Sequence, residues 1–146
     1  TATTEIYTLS LHDALPILMK TRKQILSTTI LEKVKAVNSS SDEAYKEKYE
    51  TIAQKFPSMV QRTGLVQALA FLEAKGSSEP AWRQYFNDLA HAVFLLNSRS
   101  IVEDVGHNFL LEAQSASLSE YMLLTRQTNE ALVWFRRFVE SALDTD

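Results

Sequence analysis

An all-α fold, a single compact bundle of five or six helices, is what this sequence predicts, and three observations predict it. From Met19 onward only two prolines and three glycines occur, too few for a chain rich in turns. Apolar residues recur at spacings of three and four, the period of a helix with one buried face. No segment keeps the alternation of a half-buried strand. A length of 146 residues suits one domain with a substantial core better than two.

Leu26, Ile30, Val34 and Val37 fall on one face of a first helix that ends near Asn38. After a loop at 38–41, Ser40 and Glu43 form a capping-box pattern. Tyr45, Tyr49, Ile52, Ala53 and Phe56 then carry a second helix, which Pro57 is expected to stop. Ser58 with Gln61 repeats the cap pattern, and Leu65, Leu69 and Leu72 carry a third helix to Gly76, read as the residue just past its end. Gly64 falls inside that third helix, where glycine costs about 1 kcal/mol relative to alanine. Two reasons for it compete: a bend at the helix start, or the close approach of another backbone. Ser78 and Pro80 open a fourth helix with the most aromatic face, built from Trp82, Tyr85, Phe86, Leu89, Val93 and Leu96. A short helical turn and connection over 97–106 leads to a brief fifth helix around Phe109 and Leu110. Ser117 with Glu120 caps a long last helix, whose seam runs Leu118, Tyr121, Thr125, Thr128, Leu132, Phe135, Val139, Ala142.

Composition excludes several function classes. Without cysteine there is no disulfide, no thiolate metal site and no cysteine nucleophile, which fits a reducing, cytoplasmic setting. No apolar run approaches a bilayer's span, so no membrane role is expected. The formal charge of -3 gives no global attraction to nucleic acid, so such binding requires a local basic patch. Neither a nucleophile elbow nor a phosphate-cradling glycine loop is present, and no enzyme activity or cofactor is expected. Glu103, Asp104 and His107 sit at helical spacing as half a metal site, but no second half accompanies them, so no metal is expected. His91, between Ala90 and Ala92, reads as an ordinary histidine at a core edge.

The basic residues say more. Arg22 and Lys23 open the first helix, Arg62 with Gln61 opens the third, and Arg126, Arg136 and Arg137 lie along the last helix. Such residues neutralise phosphates without reading base sequence, and equally they make an ordinary solvated face. Trp134-Phe135-Arg136-Arg137-Phe138 interleaves rings and cations, and helical geometry turns the rings inward and the arginines outward.

Residues 1–17 differ from everything after them, with no cap signal, no sustained period and an isolated Pro16. They lack the basic start and the cleavage site of a secretory signal. The stretch resembles the one-frame translation of a common sequencing adapter, with Leu18 as the junction codon. The expected organisation is a non-native or disordered extension over residues 1–18 and a helical domain over residues 19–146. Without Glu5 and Asp13 there are 16 acidic against 15 basic residues, a charge of -1.

Tyr49, Ala53, Lys55, Pro57, Met59, then Thr63-Gly64-Leu65, Gln67 and Leu69-Ala70-Phe71-Leu72 form a distinctive run. Thr21-Arg22, Gln24, Glu120-Tyr121-Met122, Leu124-Thr125-Arg126, Glu130-Ala131-Leu132 and the Trp134 to Phe138 block extend it. The pattern resembles the small helical subunit of the type III-B CRISPR-Cas effector, the Cmr complex; residues 76–118 contribute little to it. The resemblance implies a non-catalytic subunit that stacks in a short filament of its own copies, packs beside other Cmr-type subunits and lines the groove holding guide and target RNA. It further implies Arg22, Lys23, Arg62, Arg126, Arg136 and Arg137 as phosphate contacts, positioned by the conformation around Gly64, with Pro57 and Gly64 as structural residues. Two other classes compete: a protein-interaction bundle with no nucleic-acid contact, and a helical DNA-binding regulator. The regulator requires a polar reading helix after a tight turn, which the apolar faces here do not offer.

Overall fold

In the computed structural model, which describes residues 21–143, Thr21 starts the first helix by a reciprocal cap. Its Oγ1 accepts from the Gln24 amide at 3.1 Å while Gln24 Oε1 accepts from the Thr21 amide at 2.8 Å. Helix α1 then runs Arg22–Asn38 and buries Leu26, Ile30, Val34 and Val37. Among the described residues five more helices follow: α2 Glu43–Thr63, α3 Leu65–Gly76, α4 Pro80–Leu96, α5 Val105–Ser115 and α6 Leu118–Leu143. The all-α class and the count of helices agree with the expectation. No helix among the described residues is long and apolar enough to cross a membrane. The proposed extension at residues 1–18 lies outside the described residues.

Pro57 does not stop the second helix, contrary to expectation: α2 continues through it to Thr63. An interior proline removes the donor for the Ala53 carbonyl and costs about 3 kcal/mol. Phe56 and Val60 lie buried on either side of it. Each such side chain contributes about 1.5–3 kcal/mol on burial, enough to hold the helix across the defect. Ser58 and Gln61 are therefore mid-helix residues, not a cap. The cap of α2 is Asp42, which accepts from the Tyr45 amide at 3.2 Å, in place of the expected Ser40.

Gly64, expected inside a helix, is the breaker. Its φ of 87° and ψ of 165° suit glycine and strain any residue with a Cβ. Its amide closes α2 on the Val60 carbonyl at 2.9 Å, and its carbonyl opens α3 by accepting from the Ala68 amide at 3.1 Å. Glycine offers α3 no side-chain cap, and Tyr121 supplies one from α6: its hydroxyl accepts from the Val66 amide at 3.1 Å. A Cβ at Gly64 would stand 3.6 Å from that hydroxyl, an ordinary contact, so among the described residues it is backbone conformation and not close approach that calls for the glycine. Gly76 is itself the last helical residue of α3.

Glu79, not Ser78, occupies the cap position of α4, with Pro80 in its first turn. Helix α4 packs against all five others. Its Tyr85 is the aromatic hub, meeting Tyr49, Phe56 and Phe135 edge-on at 5.5, 5.8 and 5.2 Å. The connection after α4 holds no regular helix, and α5 begins only at Val105. There Gly106 lies against α4, where a Cβ would fall 2.8 Å from Phe86 and from Asn87 Oδ1. Ser117 and Glu120 make the expected capping box for α6. The seam of α6 is buried at Thr128, Leu132, Phe135 and Val139, but Leu118, assigned to it from the sequence, is 77% exposed.

Candidate nucleic-acid interface

Because the inner seam of α6 faces the bundle, helical geometry commits the residues between its members to the outside. Leu118, Met122, Arg126, Asn129, Val133, Arg136 and Arg137 therefore share the outer side of the longest helix. Three of them are large apolar residues left in solvent, Leu118 at 77%, Met122 at 58% and Val133 at 48% exposed. An open groove of about 770 Å³ runs along this side, lined by Leu118, Met122, Arg126, Glu130 and Val133.

The structure brings five of the six candidate basic residues to this side. Arg126 borders the groove. Arg22 reaches from the start of α1 to Glu130 of α6, 3.4 Å away, and so carries its neighbour Lys23 to α6. Lys23, Glu130, Val133, Trp134 and Arg137 line a cleft of about 390 Å³ between the two helices. Arg136 and Arg137, with Pro57 and Gln61 of α2, border a further cleft of about 470 Å³ on the other flank of α6. Arg136 also pairs with Glu140 one turn on, at 3.4 Å. Pairs this exposed are worth about 0–1 kcal/mol, so they orient the arginines without committing them. Arg62, expected to open the third helix, is instead exposed in the last turn of α2, because that helix continues through Pro57, and it lines none of these clefts, so the set divides into five and one.

The Trp134 ring is partly buried, stacked on Phe138 at 5.5 Å with an interplanar angle of 24°, and the Arg137 guanidinium lies 5.8 Å from its centroid. Phe135 turns fully inward while Arg136 and Arg137 point out, as the interleaving predicts.

Elsewhere the polar chemistry is structural. Asp88, which the sequence reading passed over, is 2% exposed on α4 and accepts from the Tyr49 hydroxyl at 2.7 Å and from Gln84 Nε2 at 2.8 Å. Burial raises its pKa, against the two hydrogen bonds and the nearby Lys33, which favour the charged form. The same burial, with Asp88 close by, pushes the Tyr49 and Tyr85 hydroxyls up. Gln127, also buried, exchanges two hydrogen bonds of 3.0 Å with Asn97 and ties the end of α4 to α6. His91 is held below its ordinary value first by burial and then by Lys33. Of the Glu103, Asp104, His107 trio, Asp104 occupies the cap position of α5 with a φ of 51°, while His107 pairs with Glu73 of α3. Among the described residues no three His, Cys, Asp or Glu side chains gather as a metal site.

Fold and surface together define a small all-helical domain: a tightly packed interior with one helix face bearing exposed apolar residues and arginines. Residues 22–142 match the model of the CRISPR-associated protein family Cas_Cmr5. The chain is 31% identical over 126 residues to the CRISPR system Cmr subunit Cmr5 of Thermus thermophilus, covering 86% of this chain and 99% of that protein. The crystal structure of a CRISPR-associated Cmr5 family protein from the same organism superposes with a TM-score of 0.71 at 30% identity, covering 86% of this chain and 99% of that one. The chain belongs to the Cmr5 family of CRISPR-associated proteins.

Proposed function

We propose that this protein is a non-catalytic small subunit of a cytoplasmic type III-B CRISPR-Cas RNA-targeting complex. It packs beside other Cmr-type subunits and copies of itself and lines the groove that holds guide and target RNA. The observation that carries the reading is the outer side of α6, where exposed Leu118, Met122 and Val133 run beside Arg126, Arg136 and Arg137. The apolar stripe suits protein neighbours, because exposed apolar surface along one element marks an interaction face. The arginines, joined by Arg22 and Lys23, suit a phosphate backbone, which takes positive charge without demanding a base sequence. Membership of the Cmr5 family, whose Thermus relative is named as a Cmr subunit, supports the same assignment.

Charge reversal tests it. In the assembled complex, Arg136→Glu with Arg137→Glu should weaken target-RNA binding and reduce the salt slope by about 0.7 per lost phosphate contact. Arg62→Glu, away from the clefts, should change both less. Intact assembly with unchanged RNA affinity and slope would favour the competing reading, in which the apolar stripe docks protein alone.

A further inference from the structure

The cleft between the start of α1 and the middle of α6 combines features that the phosphate-contact reading does not use. Its volume of about 390 Å³ falls at the lower end of small-ligand pockets, about 300–1,000 Å³. Its lining brings an aromatic ring, Trp134, together with an aliphatic wall, Val133, and two cations, Lys23 and Arg137. Neither cation makes an ion pair among the described residues, while the remaining carboxylate, Glu130, is matched by Arg22 at 3.4 Å. The cleft therefore carries net positive charge beside a π surface.

Trp134 is placed for a role beyond packing. Phe138 backs the ring at 5.5 Å in a stacked arrangement that fixes its orientation, and Arg137 lies over the ring at cation-π distance. A guanidinium held over an indole this way, bordering an open cleft, is pre-organised for a flat, electron-rich partner, and guanidinium planes stack on bases as readily as rings do.

We infer that the Lys23–Trp134–Arg137 cleft is a nucleobase pocket, in which one unpaired base of a single-stranded RNA stacks on the Arg137 guanidinium that lies over Trp134, while Lys23 neutralises the adjoining phosphate. The inference rests on the RNA-contact reading and adds a specificity to it: the protein distinguishes a strand with a free base from one without. Stacking tolerates any base, so no sequence preference is required.

The test uses the full chain with Trp82→Phe, leaving Trp134 as the only tryptophan. Trp82 suits replacement because its Nε1 has no hydrogen-bond partner among the described residues. A single-stranded oligoribonucleotide of about ten nucleotides is titrated in at low salt, and an abasic ribose-phosphate oligomer of the same length serves as the comparison. The expected result is quenching of Trp134 emission by the oligoribonucleotide and weak or silent binding of the abasic strand. Trp134→Leu, verified as folded by its thermal transition, should lower affinity for the base-bearing strand by about tenfold and leave the abasic strand unaffected. Equal affinity for the two strands, with no quenching, would overturn the base pocket and leave the phosphate contacts standing. Absence of binding to both would overturn the pocket and remove support for RNA contact by this side of α6.

Discussion

Helices α4 and α6 are both long and amphipathic, yet they end up in opposite circumstances. Helix α4 touches all five other helices, and even its carboxylate at Asp88 is enclosed, satisfied by Tyr49 and Gln84. Helix α6 buries one side as thoroughly, through Thr128, Leu132, Phe135 and Val139, and leaves Leu118, Met122 and Val133 in solvent on the other. Burial is therefore complete where the fold needs it and incomplete where a neighbour is expected. The bundle is stabilised by one side of α6, and the other is the side through which we propose it works.

Substitutions on the two sides of α6 should separate accordingly. Phe135→Ala removes a fully buried ring that meets Tyr85 at 5.2 Å, and should lower unfolding free energy by about 3–5 kcal/mol in a denaturant titration. A loss under 1 kcal/mol would mean that the inner seam is not core. Gly64→Leu comes next. With φ at 87° and ψ at 165° the strain belongs to the domain itself, and a loss of about 1–3 kcal/mol is expected, read by the same titration.

Asp88→Asn probes the enclosed side through pH. Folding raises the Asp88 pKa, so between its unfolded and folded values the folded state holds more protons, and this group's contribution to stability falls as pH rises through that window. The amide cannot ionise, so unfolding titrations across the acid range should show the variant lacking this decline. A variant whose stability tracks the parent across that range would show that Asp88 is not the group responsible. The smallest effect is expected at Val133→Ser, within about 0.5 kcal/mol for the isolated domain because the residue is 48% exposed, with the loss appearing instead in co-assembly with partner subunits. A large loss of stability there would erase the distinction between the two sides.

How much could be read beforehand differed by element. The face of α1 followed directly from its spacing and that of α4 only in part, since Asp88 and Phe94 are buried outside the expected set, while the Ser117–Glu120 cap was visible as a pair of residue types. The α2–α3 junction was misplaced by seven residues, because proline is the stronger local breaker on propensity while buried Phe56 and Val60 hold the helix through it. At the candidate interface, the outward direction of Arg136 and Arg137 was legible from their interleaving with rings. The approach of Lys23 to Trp134 was not, since more than a hundred residues separate them in the chain.

By itself the sequence determined the helical class, most helix faces and the outward set of basic residues, because each of these is a local consequence of period and residue type. Only the tertiary structure decided that Gly64 and not Pro57 ends a helix, that Asp88 is enclosed, and that α1 delivers Arg22 and Lys23 to the flank of α6. Those outcomes depend on which surfaces bury one another, and burial free energy is a property of pairs of elements distant in the chain, not of any window within it.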